Sequence, residues 1–197
     1  MIIKLNYPSF ISKLPLVFSC LFLILFPMTI PFSVNAALSN SPQTAKQWLA
    51  KGDEQYQKKN FGAAIQDYNK ALAIDPKNAD AYNKRGLAYN NLDQFEKAIA
   101  DYNKAIVLDP HNATTYKNRG GTYVNLNQYE RAIADFNNAI AINPQYAIAY
   151  YYRGYVLFKL KRGPEAVASL RQCIQYSDDN NLTEQAKNNI RQLGGTP

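Results

Sequence analysis

Two cysteines, one histidine and no acidic residue before Asp53 are the scarcities that first constrain this 197-residue chain. The missing acids isolate an N-terminal segment. Lys4 and Lys13 precede an apolar run from Leu14 to Ile30, interrupted by Pro15 and Pro27, and Val34-Asn35-Ala36 sets small or aliphatic residues at the −3 and −1 positions of a cleavage site. That is the layout of a secretory signal peptide. A spanning helix needs about 20 apolar residues, so residues 1–36 read first as a cleaved leader and second as an uncleaved anchor. Cys20 makes a poor lipoprotein signal, because the apolar run follows it. Cleavage removes Cys20 and leaves Cys173 alone, which excludes an intramolecular disulfide. The expected place of the chain is therefore an exported one: periplasm or secreted, a thylakoid lumen if the source is photosynthetic, or membrane-anchored if the leader stays.

The lone His111 follows Pro110 in a turn, with no cysteine or acidic cluster near it in sequence, so no metal site is expected. Phosphate-binding Gly-rich loops, nucleophile elbows and HExxH are all missing. The reading is a chain that is not an enzyme and carries no cofactor. Twenty-two Lys and Arg against fifteen Asp and Glu give a net charge of +7. The basic residues are scattered in runs no longer than two, so nucleic acid is not an expected partner. Acidic partners, or peripheral association with an anionic membrane surface, suit that charge better.

What the chain does have is repetition. Blocks starting at Asn60, Gln94 and Gln128 match one another at a 34-residue period. Gly52, Gly86, Gly120 and Gly154 form one column; Ala64, Ala98, Ala132 and Ala166 another; Trp48, Tyr82, Tyr116 and Tyr150 a third; Tyr68, Tyr102, Phe136 and Leu170 a fourth. Pro76, Pro110 and Pro144 close three units, with Asp178 in that place in the last. Within a unit, Tyr82, Gly86 and Tyr89 share one helical face and Ala98, Tyr102 and Ala105 another, so each unit reads as two amphipathic helices. A 34-residue period means stacked supersecondary units. Gly inside a helix costs about 1 kcal/mol relative to Ala, so four in one column imply close helix approach beside the aromatics.

With these residues the chain resembles the tetratricopeptide repeat family over about Ala45–Asn180. The resemblance implies an all-α fold, a right-handed α-solenoid of stacked helix-turn-helix repeats, here at 45–78, 79–112, 113–146 and 147–180. A polar lead-in (37–44) precedes it; a capping helix (181–193) and a tail (194–197) follow. Asn181 and Glu184 resemble a capping box, Leu182, Ala186, Ile190 and Leu193 make an apolar stripe, and Gly194 is the stop. The end units depart from the pattern: Gln55 stands where later units have Tyr89 and Tyr123, Gly163 where others have Phe61, Phe95 and Tyr129, and Cys173 where others have Ala71, Ala105 and Ala139. Cys173 therefore reads as a small buried side chain, with a reactive or dimer-forming thiol as the alternative.

Two charged columns run through the units. Asp67, Asp101 and Asp135 each lie 18 residues before Arg85, Arg119 and Arg153. Pairing each acid with the Arg of the next unit leaves nothing over, which predicts inter-repeat bridges Asp67–Arg85, Asp101–Arg119 and Asp135–Arg153. The alternative is that these arginines face a ligand.

The resemblance also implies a concave face lined by the first helix of each unit. There the chain offers Asn83, Lys84, Leu87, Asn90 and Asn91, then Lys117, Asn118, Gly121 and Asn125, then Tyr151, Tyr152 and Tyr155. Asparagine can both donate to and accept from an extended peptide backbone, and tyrosine adds contact area with a polar tip. The Tyr cluster can equally seat the capping helix or a second copy. The family's two-lysine clamp for a terminal carboxylate is not matched: one frame puts Ile148 and Tyr152 at its basic positions, the other Leu49 and Asp53. The functional expectation is a non-catalytic protein- or peptide-binding scaffold, in assembly of an envelope or membrane complex by family resemblance. A self-assembling, homo-oligomeric repeat protein is the alternative.

Overall fold

A computed structural model describes residues 43–196; the expected leader and most of the lead-in lie outside the described residues. Among the described residues the elements are nine α-helices. They run α1 (Ala45–Gln57), α2 (Phe61–Ile74), α3 (Ala79–Asn90), α4 (Phe95–Leu108), α5 (Ala113–Asn125), α6 (Tyr129–Ile142), α7 (Ala147–Lys159), α8 (Gly163–Tyr176) and α9 (Asn180–Gln192). The first eight form four antiparallel pairs, each packed on the next, and α9 packs on α8. This is the α-solenoid that the period implies.

The columns explain the packing. A Cβ added to Gly86 would lie 2.9 Å from a ring carbon of Tyr102, and one on Gly120 would lie 2.7 Å from a ring carbon of Phe136. Only glycine lets the first helix of a pair come that close to the ring on the second. Ala64, Ala98, Ala132 and Ala166 are fully buried at the same contact. In the fourth pair Gly154 faces Leu170 instead of a ring.

Each link within a pair has the same geometry. Lys59, Asp93, Asn127 and Lys161 all have positive φ, between 56° and 60°. The next residue sends its N–H back to the end of the preceding helix: Asn60 to Gln55, Gln94 to Tyr89, Gln128 to Tyr123 and Arg162 to Leu157. That is a Schellman closure on a residue other than glycine. Between pairs, Asp75, Asp109 and Asn143 leave the helix with ψ of 86° to 95°, the extended geometry that a following proline imposes. Thr44, Asn78 and Asn112 then cap α1, α3 and α5 with side-chain oxygens, whereas Tyr146 gives α7 no such cap.

The end units use their departures. Tyr56, one place late, packs edge-on against Phe61 at 5.2 Å and accepts a hydrogen bond from Asn91 Nδ2. Pro164 sits in the first turn of α8, where its missing N–H costs nothing. The cap of α9 differs from the expected Asn181 box. Asp179 caps it, accepting from the N–H groups of Asn181 and Leu182 at 2.8 and 3.2 Å, so the helix starts one residue earlier. A carboxylate at the positive end of the helix dipole is the better acceptor; Asn181 lies inside the helix and accepts from Gln185. Ala186 and Ile190 pack with Tyr150, Leu170 and Cys173, flanked by Leu182 and Leu193. Gly194, at φ +72°, ends the helix. Cys173 is fully buried, and burial pushes its thiol up to about 11.

Candidate functional site

The charged columns pair within units, not between them. Arg85 grips Asp101 through Nε (2.7 Å) and Nη2 (2.6 Å), and Arg119 grips Asp135 through the same atoms (2.8 and 2.7 Å). The expected bridges Asp67–Arg85, Asp101–Arg119 and Asp135–Arg153 are therefore wrong: the partner lies 16 residues ahead, not 18 behind. The end units obey the same rule. Lys51 stands 4.0 Å from Asp67, and Arg153 Nε donates to Ser169 Oγ at 3.0 Å. The physical reason is that Arg and Asp face each other across the two helices of one hairpin. An inter-unit link does exist, but to a different column. Nη1 of Arg85, Arg119 and Arg153 donates to Asn69, Asn103 and Asn137 of the preceding unit at 2.6, 2.5 and 2.9 Å. Each guanidinium also lies over the aromatic three residues before it, Tyr82, Tyr116 or Tyr150, at 5.2–5.7 Å.

The first helices α3, α5 and α7 line a concavity of about 420 Å³. Eight of the expected residues meet there: Leu87, Asn90, Lys117, Asn118, Gly121, Asn125, Tyr152 and Tyr155. Its lining contains no acid. Val124 completes the wall; it occupies the Asn90 column one period on, and a search for polar contacts passes over it.

The amides mostly serve the array itself. Asn118 Nδ2 donates to Asn83 Oδ1 at 3.0 Å, and both residues are buried. Asn90 Oδ1 accepts from Thr122 Oγ1 at 2.8 Å and from Asn125 Nδ2 at 3.4 Å. Asn83 thus lies behind the wall, tying α3 to α5, and does not line the concavity.

The two expected lysines differ sharply. Lys84 lies in a separate recess of about 230 Å³ with Asp53, Tyr56, Gln57, Tyr68 and Leu87. It is bridged to Asp53 at 2.8 Å and to Asp80 at 3.0 Å. Burial pulls its pKa down, but these bonds outweigh burial and leave it raised. Lys117 is half-buried, and its ammonium donates to Asn118 Oδ1 at 2.6 Å. Among the described residues no carboxylate bridges it, and burial holds its pKa below the ordinary lysine value.

The tyrosines divide as well. Tyr151 packs against the cluster that seats α9. Tyr152 is 37% exposed, stacks on Phe136 with ring centroids 5.9 Å apart, and lines the concavity with Tyr155. The assembled surface is one uncompensated cation, amide edges and two aromatic faces. Among the described residues no three His, Cys, Asp or Glu side chains are grouped to hold a metal.

Comparisons agree with this architecture. A family model described as TPR repeat matches residues 52–93 and 120–161. Models described as tetratricopeptide repeat match 79–112 and 101–134, so the matches together span 52–161, more than half of the chain. No curated protein matches. Among solved structures the chain is similar to MamA protein (25% identity, TM-score 0.62, covering 76% of this chain and 89% of that one). It is similar to the Arabidopsis OM64 TPR domain (29%, TM-score 0.55, covering 58% and 94%). It is also similar to the first TPR of Spaghetti (RPAP3) bound to HSP90 peptide SRMEEVD (28%, TM-score 0.56, covering 61% and 93%). Repeat period, glycine-to-ring packing and family models converge, and the chain belongs to the tetratricopeptide repeat family.

Proposed function

We propose that this chain is a non-catalytic scaffold that binds an extended segment of another protein along the concavity of α3, α5 and α7. Lys117 carries the reading: it is a half-buried ammonium with no carboxylate partner among the described residues, in a recess whose lining has no acid. An acidic side chain of the ligand supplies the missing charge, and an apolar neighbour lies against Tyr152, Tyr155 and Val124. The peptide-bound relative supports peptide recognition by a similar array. The leader pattern of residues 1–36 supports an exported setting, where the scaffold serves assembly of an envelope or membrane complex.

Affinity capture tests it, with the full chain as bait beside a Lys117→Gln/Tyr152→Ala variant that keeps its helicity and melting temperature. A partner held by the first and lost by the second supports the concavity. A partner held equally by both moves the site elsewhere. Recovery of the bait alone, as a dimer or larger species, makes self-assembly the function instead.

A further inference from the structure

We propose that the fourth unit carries a carboxylate-binding recess in which Arg153 takes an acidic side chain of a partner protein, in the place Asp101 and Asp135 fill in the two units before it. The proposal does not depend on the concavity, because the two surfaces share no lining residue.

The argument is a comparison of like positions. Arg85 and Arg119 each bind a carboxylate of their own hairpin through Nε and Nη2. In the fourth unit that acid is Ser169. Arg153 keeps the link to the preceding unit through Asn137, and its Nε turns to Ser169 Oγ. Among the described residues its Nη2 donates no hydrogen bond, and no carboxylate bridges it. Burial lowers the Arg153 pKa. Arg85 is raised by its bond to Asp101; at Arg119 burial pulls down, but the hydrogen bond and charge of Asp135 together with the nearby tyrosines leave it raised.

There is room for the missing group. A recess of about 350 Å³ is bounded by Asn137, Arg153, Arg162, Glu165 and Ser169, with Leu157 among its apolar walls. The corresponding recess one unit earlier contains Asp135 beside Arg119 and Asn103. Glu165 is the one acid in the lining of the recess and acts on Arg153 through space, but each of its oxygens accepts from Arg162, at 2.7 and 2.6 Å. That pair is exposed and forms the rim, so a ligand can enter. A carboxylate fits better than a larger anion, because the two earlier forks close on carboxylates.

The test reads the arginine Nε–H resonances of the full-length chain by NMR. The probe is glutamate blocked as N-acetyl and amide, with the blocked glutamine as neutral control and inorganic phosphate as competing anion, all at matched ionic strength. Arg153 is expected to shift saturably with the glutamate probe, with a Kd at least tenfold below that for glutamine, while Arg85 and Arg119 stay still. In Ser169→Asp the Arg153 signal should move to the range of the other two and stop responding. Arg153→Lys, which keeps the charge and loses the fork, should lose most of the binding, read there on the backbone amides of α7 and α8, if Ser169→Asp does not fold. A silent Arg153, equal shifts in all three arginines, a response that persists in Ser169→Asp, or phosphate binding as tightly as glutamate would each overturn the proposal.

Discussion

The two middle units and the fourth are built on one backbone plan yet close their polar chemistry differently. Units two and three cap their first helix with Asn78 and Asn112, hold each guanidinium with an aspartate, and set the glycine against a ring. The fourth has Tyr146 at the cap, Ser169 for the acid and Leu170 for the ring. The helices and their packing survive all three changes, because glycine, alanine and helix length carry the stacking. Polar groups can therefore vary from unit to unit, and Lys117 and Arg153, which no carboxylate bridges among the described residues, are where the two proposed ligand contacts lie.

The glycine column gives the largest expected effect. Gly120→Leu should cost about 1–3 kcal/mol through overpacking against Phe136, and an unchanged melting temperature would break the packing account. The charged column comes next. Asp135→Ala leaves Arg119 half-buried without its carboxylate and should cost about 1–2 kcal/mol in denaturant titration, more than Ser169→Ala beside Arg153. Equal losses would erase the distinction between the middle and last units.

Hydroxyls on the ring column sharpen the comparison further. Tyr68 donates to Asp53 at 2.9 Å, but in the next unit Leu87 stands in the place of Asp53, and among the described residues the buried Tyr102 hydroxyl makes no hydrogen bond of normal geometry, only a loose approach to Thr122. Tyr68→Phe should lose about 1 kcal/mol, while Tyr102→Phe should leave stability unchanged or improve it. The smallest effect lies at the left-handed links. Lys161→Gly should gain about 0.5–1 kcal/mol by relieving positive φ; a loss measured by thermal melting would mean the lysine makes a compensating contact.

The columns made the fold legible before any coordinates, because steric contacts repeat with the period. The charge partners were not legible in the same way. An Arg 18 residues after one Asp is necessarily 16 before the next, since the two sum to the period, and periodicity cannot choose between them. Only the hairpin geometry does, through Lys51 facing Asp67 and Arg153 facing Ser169. Eight lining residues of the concavity were legible because one face of a helix is fixed by its spacing. Asn83 was not, because a buried amide and a groove amide look alike until its partner Asn118 is seen. The left-handed Lys59 and Lys161 were also hidden; lysine carries no signal for that conformation, whereas Asp93 and Asn127 do.

The most direct test of the central claim compares extended peptides containing glutamate with glutamine-matched counterparts, titrated against the chain and two variants. The account predicts glutamate peptides bind the unmodified chain at least tenfold tighter, about 1.4 kcal/mol. It predicts that, in a chain carrying Arg153→Lys so that the fourth-unit recess adds no preference of its own, Lys117→Gln abolishes the preference, whereas Lys84→Gln keeps it because Lys84 is already bridged to Asp53 and Asp80. No preference in the unmodified chain, or a preference that survives Lys117→Gln in the Arg153→Lys background, would contradict the claim that the concavity of α3, α5 and α7 is the binding site.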